Sequence, residues 1–190
     1  MRYFYLLNMT KLALRKKYLK IRDRLEELEV LEKSGQICRK VLSLDVLAGA
    51  RTISSYFAFR NEVDTKELIN SLVKSGQKVV IAQFMNNAWR FAQFNSWTDL
   101  EEGPYGILQP KTQEVTSANS IDVAILPGVV FDQKGVRLGY GKGVFDKLLA
   151  KSPALRIGLA FDFQVVDELP REKHDLVMDF VVTEKRILSH

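Results

Sequence analysis

Leu14, Tyr18, Ile21, Leu25 and Leu28 recur at steps of four and three, which places them on one apolar stripe of a helix. Thr10 stands where it can cap the amino end of that helix. After Gly35 a second helix is expected, with Ile37, Val41 and Leu44 facing inward. The period then changes. Thr52-Ile53-Ser54-Ser55-Tyr56-Phe57 is rich in β-forming residues and predicts a strand. Asp64 and Glu67 form a capping-box pattern that opens a helix carrying Leu68, Ile69, Leu72 and Val73. Short buried strands are expected at 78–82, 121–126, 156–160 and 180–182. Trp89-Arg90-Phe91 begins another, expected at a sheet edge with one wet face. From 95 to 120 the chain is polar and turn-rich, broken by Gly103-Pro104 and Gln109-Pro110.

Strands that alternate with helices imply βαβ units and a mostly parallel sheet covered on both faces. The fold class expected is α/β, in one domain spanning 1–190. The 190 residues, 46% hydrophobic and 27% charged, suffice for one sizeable core and are short for two. No apolar run reaches the roughly 18 residues of a membrane-spanning helix. The opening Met1-Arg2-Tyr3-Phe4-Tyr5-Leu6-Leu7 has too short an apolar stretch for a signal peptide. Residues 1–8 read either as an artefact ahead of a translation start at Met9 or as a disordered tail.

A lone cysteine, Cys38, cannot form an internal disulfide and suits a reducing compartment. Its neighbours Ile37, Val41 and Leu42 favour a small core residue over a nucleophile. His174 and His190 are the two histidines, too few for a histidine-rich zinc site. The net charge of +5 suits an anionic ligand without singling out nucleic acid. Its densest cluster is Lys11, Arg15, Lys16, Lys17, Lys20, Arg22 and Arg24 on the first helix. Such a run is commonly a solvated face. Cations at a helix amino end oppose the macrodipole, however, and a bound polyanion there would make them intelligible.

The most informative stretch is Arg137-Leu138-Gly139-Tyr140-Gly141-Lys142-Gly143-Val144-Phe145-Asp146. Glycines at every second position let backbone approach a phosphate, and a helix expected from Lys142 would aim N–H groups at it. The spacing is neither the dinucleotide fingerprint nor a P-loop, so the segment is a phosphate loop of another design or a structural turn. Phosphoryl transfer from ATP needs Mg²⁺, which takes carboxylate oxygens, phosphates and water. Asp146, in the first turn after the loop, and Asp175, before the last strand, are the carboxylates that could serve it. Either alone is more commonly a cap or a surface charge.

Five blocks in order resemble the 5-formyltetrahydrofolate cyclo-ligases. They are Lys11-Leu12-Ala13-Leu14-Arg15; Ser55-Tyr56 through Glu62-Val63-Asp64-Thr65; Tyr105-Gly106-Ile107-Leu108-Gln109-Pro110; Pro127-Gly128 through Asp146; and Gln164, Leu169-Pro170, His174-Asp175 and Val182-Thr183-Glu184. The resemblance implies a Rossmann-like three-layer α/β/α domain. It implies an enzyme that uses ATP and Mg²⁺ to close 5-formyltetrahydrofolate into 5,10-methenyltetrahydrofolate, with release of ADP and phosphate. By the same resemblance Lys11, Arg15, Arg137, Gly139, Tyr140, Gly141, Lys142, Gly143 and Phe145 would meet ATP. Arg137, Lys142 and Asp146 would carry the chemistry, and Asp146 and Asp175 the metal. Phe57, Glu62, Tyr140 and Lys142 would meet the folate, Glu62 accepting hydrogen bonds from the donor edge of the pterin. A cytoplasmic monomer acting on small molecules, with no nucleic-acid or membrane partner, is expected.

Two departures stand out. Val144-Phe145 replace the tyrosine pair that the family usually carries, and Ala82 replaces a common proline. Losing a hydrogen bond or an aromatic contact costs on the order of 1 kcal/mol, or about tenfold in binding or rate. An active but slower enzyme is expected, and a folate- or nucleotide-binding homologue without turnover is the alternative.

Overall fold

The computed structural model describes residues 9–172 and 175–190. The proposed tail at 1–8, and His174 of the last block, lie outside the described residues. The chain is mixed α/β around an eight-stranded sheet. Its parallel centre is β12 (Phe180–Val182), β10 (Leu155–Leu159), β7 (Val123–Pro127), β1 (Thr52–Ser55) and β2 (Lys78–Met85), in that spatial order. Antiparallel strands flank it: β13 (Ile187–Ser189) on one side, β3 (Ala88–Gln93) and then β6 (Val115–Thr116) on the other. From β1 the chain steps outward to β2, and from β7 it steps the opposite way through β10 to β12. The order therefore reverses between β1 and β7, where open sheets of this kind leave a crevice at the carboxyl ends of their strands.

Period-two alternation dresses both faces. Ile53, Val79, Ile81, Val123, Ile125, Ile157, Leu159 and Val182 share one buried cluster. On the same side pack α2 (Glu27–Leu42), α3 (Asp45–Ala48) and α4 (Lys66–Lys74), through Ile37, Val41, Leu47, Leu68, Ile69 and Leu72. Val80, Ala124, Leu126 and Val181 point the other way, against Phe131, Leu149, Leu176 and Met178. Phe131 belongs to β8 (Val130–Asp132), which forms a small second sheet with β9 (Arg137–Leu138) and β11 (Val165–Val166). Its ring lies against the Cα positions of Gly128 and Gly158, where any side chain would collide with it. Leu14 and Tyr18 of α1 (Lys11–Arg22) pack on this second sheet through Val129, Val130, Val136 and Leu138.

Several boundaries differ from the sequence reading. Thr10 caps α1 as expected, its Oγ1 accepting the Ala13 N–H at 3.2 Å. The stripe, however, runs Leu14, Tyr18, Arg22 in steps of four; Ile21 is exposed, and Leu28 is 81% exposed. Helix α2 starts at Glu27, so Gly35 lies inside it rather than before it. Thr65, not Asp64, precedes α4, and Asp64 accepts the Lys66 N–H at 2.8 Å in place of a reciprocal capping box. The Trp89 strand is not the sheet edge, because Val115–Thr116 pairs beyond it. β4 (Leu100–Glu102) pairs with β5 (Leu108–Pro110) within the segment read as turns. These strands have two or three residues, too few to show a period.

Candidate active site

The crevice at the sheet reversal is a cavity of about 960 Å³. The loop after β1 brings Tyr56, Phe57, Phe59, Arg60 and Glu62; Pro127 ends β7; the first turns of α1 bring Lys11 and Arg15. Arg137 and the whole of Gly139 to Asp146 form one wall, with Glu172 and Asp175 beside it. Every residue expected to meet ATP, folate or metal lines this one cavity.

One end is ionic. Arg137, 6% exposed, places Nη2 2.8 Å from both carboxylate oxygens of Asp146 and gives Nη1 to the Pro127 carbonyl at 3.1 Å. Lys11 Nζ lies 2.6 Å from Asp175 Oδ2 and 3.3 Å from Glu172 Oε1. Arg15 donates from Nε to the Gly139 carbonyl at 2.7 Å, fastening the loop to α1. At Gly141 φ is +95°, and a Cβ there would sit 3.3 Å from the Arg15 guanidinium carbon. Gly143 is also left-handed, with φ +64°. Only glycine adopts such angles without strain, which accounts for two of the three glycines.

The helix after the loop is a correction. It is α5 (Val144–Leu148), preceded by left-handed Gly143, rather than a helix from Lys142. Five residues make a weak dipole, so the positive charge near the loop comes from the side chains of Lys11, Arg15, Arg137 and Lys142. Lys142 Nζ lies 5.5 Å over the Tyr105 ring.

Another part is aromatic and buried. Phe57 packs edge-on to Phe94, ring centroids 5.7 Å apart, and against Trp97 at 5.3 Å. Glu62, 5% exposed, accepts the Phe59 N–H at 2.9 Å. Burial raises its carboxyl above the ordinary value, while Arg22 and the Phe59 N–H oppose that rise. Tyr140 stands beside it, edge-on to Phe59, and burial next to Glu62 pushes its phenol up to about 12.

Arg22 escaped the sequence reading. It is 1% exposed, donates to Tyr140 Oη and to the Gly128 carbonyl (3.3 Å), and lies 3.9 Å from Glu62 Oε1. The signal was present: extending Leu14 and Tyr18 by four reaches Arg22, an arginine on the buried stripe. Trp89, Tyr105 and Ile107 also line the cavity; Tyr105 and Ile107 belong to the third block of the resemblance, which assigned them no site role, and Trp89 was read only as part of a strand.

Other residues of the five blocks support the cavity walls. Asp132 is fully buried and accepts the Val136 and Leu169 N–H groups, each at 2.9 Å. Gln164 donates to the Gly128 and Val129 carbonyls, and Glu184 accepts the Asp162 N–H at 2.8 Å. Tyr56 donates to the Val63 carbonyl at 3.1 Å and Thr65 Oγ1 to the Tyr56 carbonyl, pinning the loop that carries Glu62. Cys38 is buried as expected of a core residue, its thiol pushed up to about 12 chiefly by desolvation. Among the described residues no helix is long and apolar enough to cross a membrane. None of these residues forms a cluster of three or more metal-binding side chains.

Fold and cavity together define an α/β protein with a cationic ligand crevice where its parallel sheet reverses order. Residues 8–184 match the model of the 5-formyltetrahydrofolate cyclo-ligase family, and the chain belongs to that family. It is 33% identical over 165 residues to the 5-formyltetrahydrofolate cyclo-ligase of Haemophilus influenzae, covering 83% of this chain and 88% of the relative. To the Saccharomyces cerevisiae cyclo-ligase it is 28% identical over 200 residues, covering 91% and 94%. The solved structure of Aquifex aeolicus 5,10-methenyltetrahydrofolate synthetase superposes with a TM-score of 0.87 at 32% identity, over 95% of this chain and 93% of that one. The Mycoplasma pneumoniae synthetase gives 0.75 at 25% identity, over 93% and 99%.

Proposed function

We propose that this chain converts 5-formyltetrahydrofolate and ATP to 5,10-methenyltetrahydrofolate, ADP and phosphate, as a single cytoplasmic domain. One observation carries the reading beyond family membership. A buried carboxylate with an aromatic wall, a cluster of cationic side chains and the glycine loop all line one cavity. That arrangement suits a reaction joining a pterin to a triphosphate.

An amide oxygen is a poor leaving group, and phosphorylation makes it a good one. The formyl oxygen attacks the γ-phosphorus and ADP leaves; N10 then attacks the activated carbon, and phosphate departs with the former formyl oxygen. Lys11, Arg15, Arg137 and Lys142, with the backbone from Gly139 to Gly143, hold the phosphates and offset the developing charge. Glu62 accepts from the pterin donors, and Phe57 and Tyr140 flank the ring.

Asp146 and Asp175 line the cavity beside these cations, a pair of carboxylates of the kind Mg²⁺ takes together with phosphate oxygens and water. Each carries a cation, Arg137 or Lys11, that a phosphate can draw away. These two residues would hold Mg²⁺, which supplies charge neutralisation at the phosphates.

The test is absorbance of methenyl product from purified protein, 5-formyltetrahydrofolate, ATP and Mg²⁺. Growth that requires both ATP and Mg²⁺ is the expected result. Absence of product while both substrates bind would make the chain a binding homologue, with Val144 and Phe145 the first suspects.

A further inference from the structure

Arg22 projects from the carboxyl end of α1 into the protein and reaches three separate segments. Its guanidinium donates to Tyr140 Oη in the glycine loop and to the Gly128 carbonyl at 3.3 Å, beyond β7. It also lies 3.9 Å from Glu62 Oε1 in the loop after β1, and 5.5 Å from the centre of the Tyr140 ring. Its Nε makes no hydrogen bond. The backbone beneath it is fixed too, for Asn61 Nδ2 donates to the Arg22 carbonyl at 3.1 Å and to the Leu25 carbonyl at 3.0 Å. A guanidinium 1% exposed and desolvated at such cost is not there for stability alone.

We propose that Arg22 is a positioning residue: it holds Glu62 as an aimed, charged acceptor for the substrate's ring donors and fastens the glycine loop to that acceptor through Tyr140. The proposal rests on the folate reading of the cavity. Its physical content is a coupling. Tyr140 belongs to the loop that also carries Gly139 and Gly141, and Arg15 holds that loop at the neighbouring Gly139 carbonyl. Two arginines of one helix, seven residues apart, thus hold adjacent residues of the loop, Arg15 at Gly139 and Arg22 at Tyr140.

The charged and titratable groups around Glu62 are Arg22 from α1, Tyr140 from the glycine loop, Tyr56 from the end of β1 and Arg137 from β9. Arg22 is the cation nearest to the carboxylate and the foremost influence favouring its charge. Without it Glu62 keeps its burial and loses its main compensation, so the carboxyl takes up a proton at higher pH.

The experiment follows the Glu62 carboxyl by NMR in protein labelled with ¹³C at the glutamate δ carbon, its resonance assigned with Glu62→Gln. In Arg22→Met the titration midpoint is expected to rise by at least about one pH unit. The acid limb of kcat/KM for 5-formyltetrahydrofolate is expected to move with it. The folate KM should rise about tenfold or more while kcat changes by less than about threefold, as befits lost binding rather than lost chemistry. Arg22→Lys restores the charge and should return the midpoint, but it lacks the planar fork by which Arg22 gives one nitrogen to the Gly128 carbonyl and another to Tyr140. Tyr140→Phe should raise the KM of ATP with that of folate.

An unmoved midpoint and acid limb in folded Arg22→Met would overturn the assignment. Should that variant fail to fold, unchanged KM values in both Arg22→Lys and Tyr140→Phe overturn it equally. The NMR titration needs no turnover. A shifted midpoint in a protein that makes no methenyl product would support Arg22 and sink the proposed reaction.

Discussion

Arg137 and Asp146 meet across nine residues of chain, one guanidinium nitrogen 2.8 Å from both oxygens of the carboxylate. Arg137 is almost wholly buried and Asp146 is its only ion-pair partner among the described residues. The pair therefore sets the shape of the loop that lies between its two members. Arg137→Ala and Asp146→Ala are each expected to cut turnover at least about 100-fold, since in the proposed reaction both give electrostatic support to phosphoryl transfer. Steady-state rates on variants with wild-type circular dichroism check this, and near-normal turnover in either would refute the roles given to them.

Gly141 and Arg15 make a second pair whose geometry is easily disturbed. At φ +95° an alanine is strained, and its methyl would press on the guanidinium that holds the Gly139 carbonyl. Gly141→Ala should raise the KM of ATP about tenfold, an effect of about 1.4 kcal/mol. Gly49 is the control, since its φ is −92° and a methyl added there would meet no atom within 4 Å. Gly49→Ala should leave both Michaelis constants unchanged.

Gly158 belongs to stability rather than chemistry. A Cβ there would stand 3.0 Å from Phe131 Cζ and 3.1 Å from Met178 Cγ, inside the core between the two sheets. Overpacking of this kind costs about 1–3 kcal/mol. Gly158→Ala should lower the melting temperature measurably, and Phe131→Leu in the same chain should recover part of the loss. Additive losses in the double variant would count against a steric cause.

Cys38 and Tyr140 set the alkaline limit. Burial raises the thiol from 9.0 and the phenol from 10.0, each to about 12. Between those values the folded chain holds protons that the unfolded chain has released, so stability falls as pH rises. Denaturant unfolding at pH 8, 9, 10 and 11 should show the decline, and Cys38→Ala should flatten its lower part. A disulfide reagent at pH 8 should label the native thiol only as fast as the protein opens.

Val144 and Phe145 line the cavity at the two positions where the resemblance leads one to expect tyrosines. Phe145 also packs into both faces of the core, so its ring is held while the phenolic oxygen is missing. Phe145→Tyr and Val144→Tyr are each expected to raise kcat/KM by up to about tenfold, the worth of one hydrogen bond or aromatic contact. A fall in both would show that the cavity has repacked around the smaller residues.

The sheet was legible in the sequence because central strands are continuous apolar runs, as at Val123 to Leu126 and Ile157 to Leu159. The loop residues were legible through their order along the chain, and one cavity gathers Lys11, Glu62, Arg137, Asp146 and Asp175. What could not be read was which partner each charge takes. Composition cannot say that Asp146 faces Arg137 or that Asp175 faces Lys11, because those pairs depend on the crossovers. Arg22 was hidden by its own chemistry: an arginine among six other cations reads as solvated until its burial is seen. The error at Ile21 has the same root, since that reading preferred the apolar neighbour to the buried cation.

The contact between Lys11 and Asp175 spans 164 residues, and that between Arg22 and Tyr140 spans 118. Closing loops of that length is entropically unfavourable and comes late on a folding route. A chain whose sheet has formed but whose first helix has not docked would have a core and no working cavity. Catalytic competence should then return as the last phase of refolding, behind the recovery of β-sheet signal.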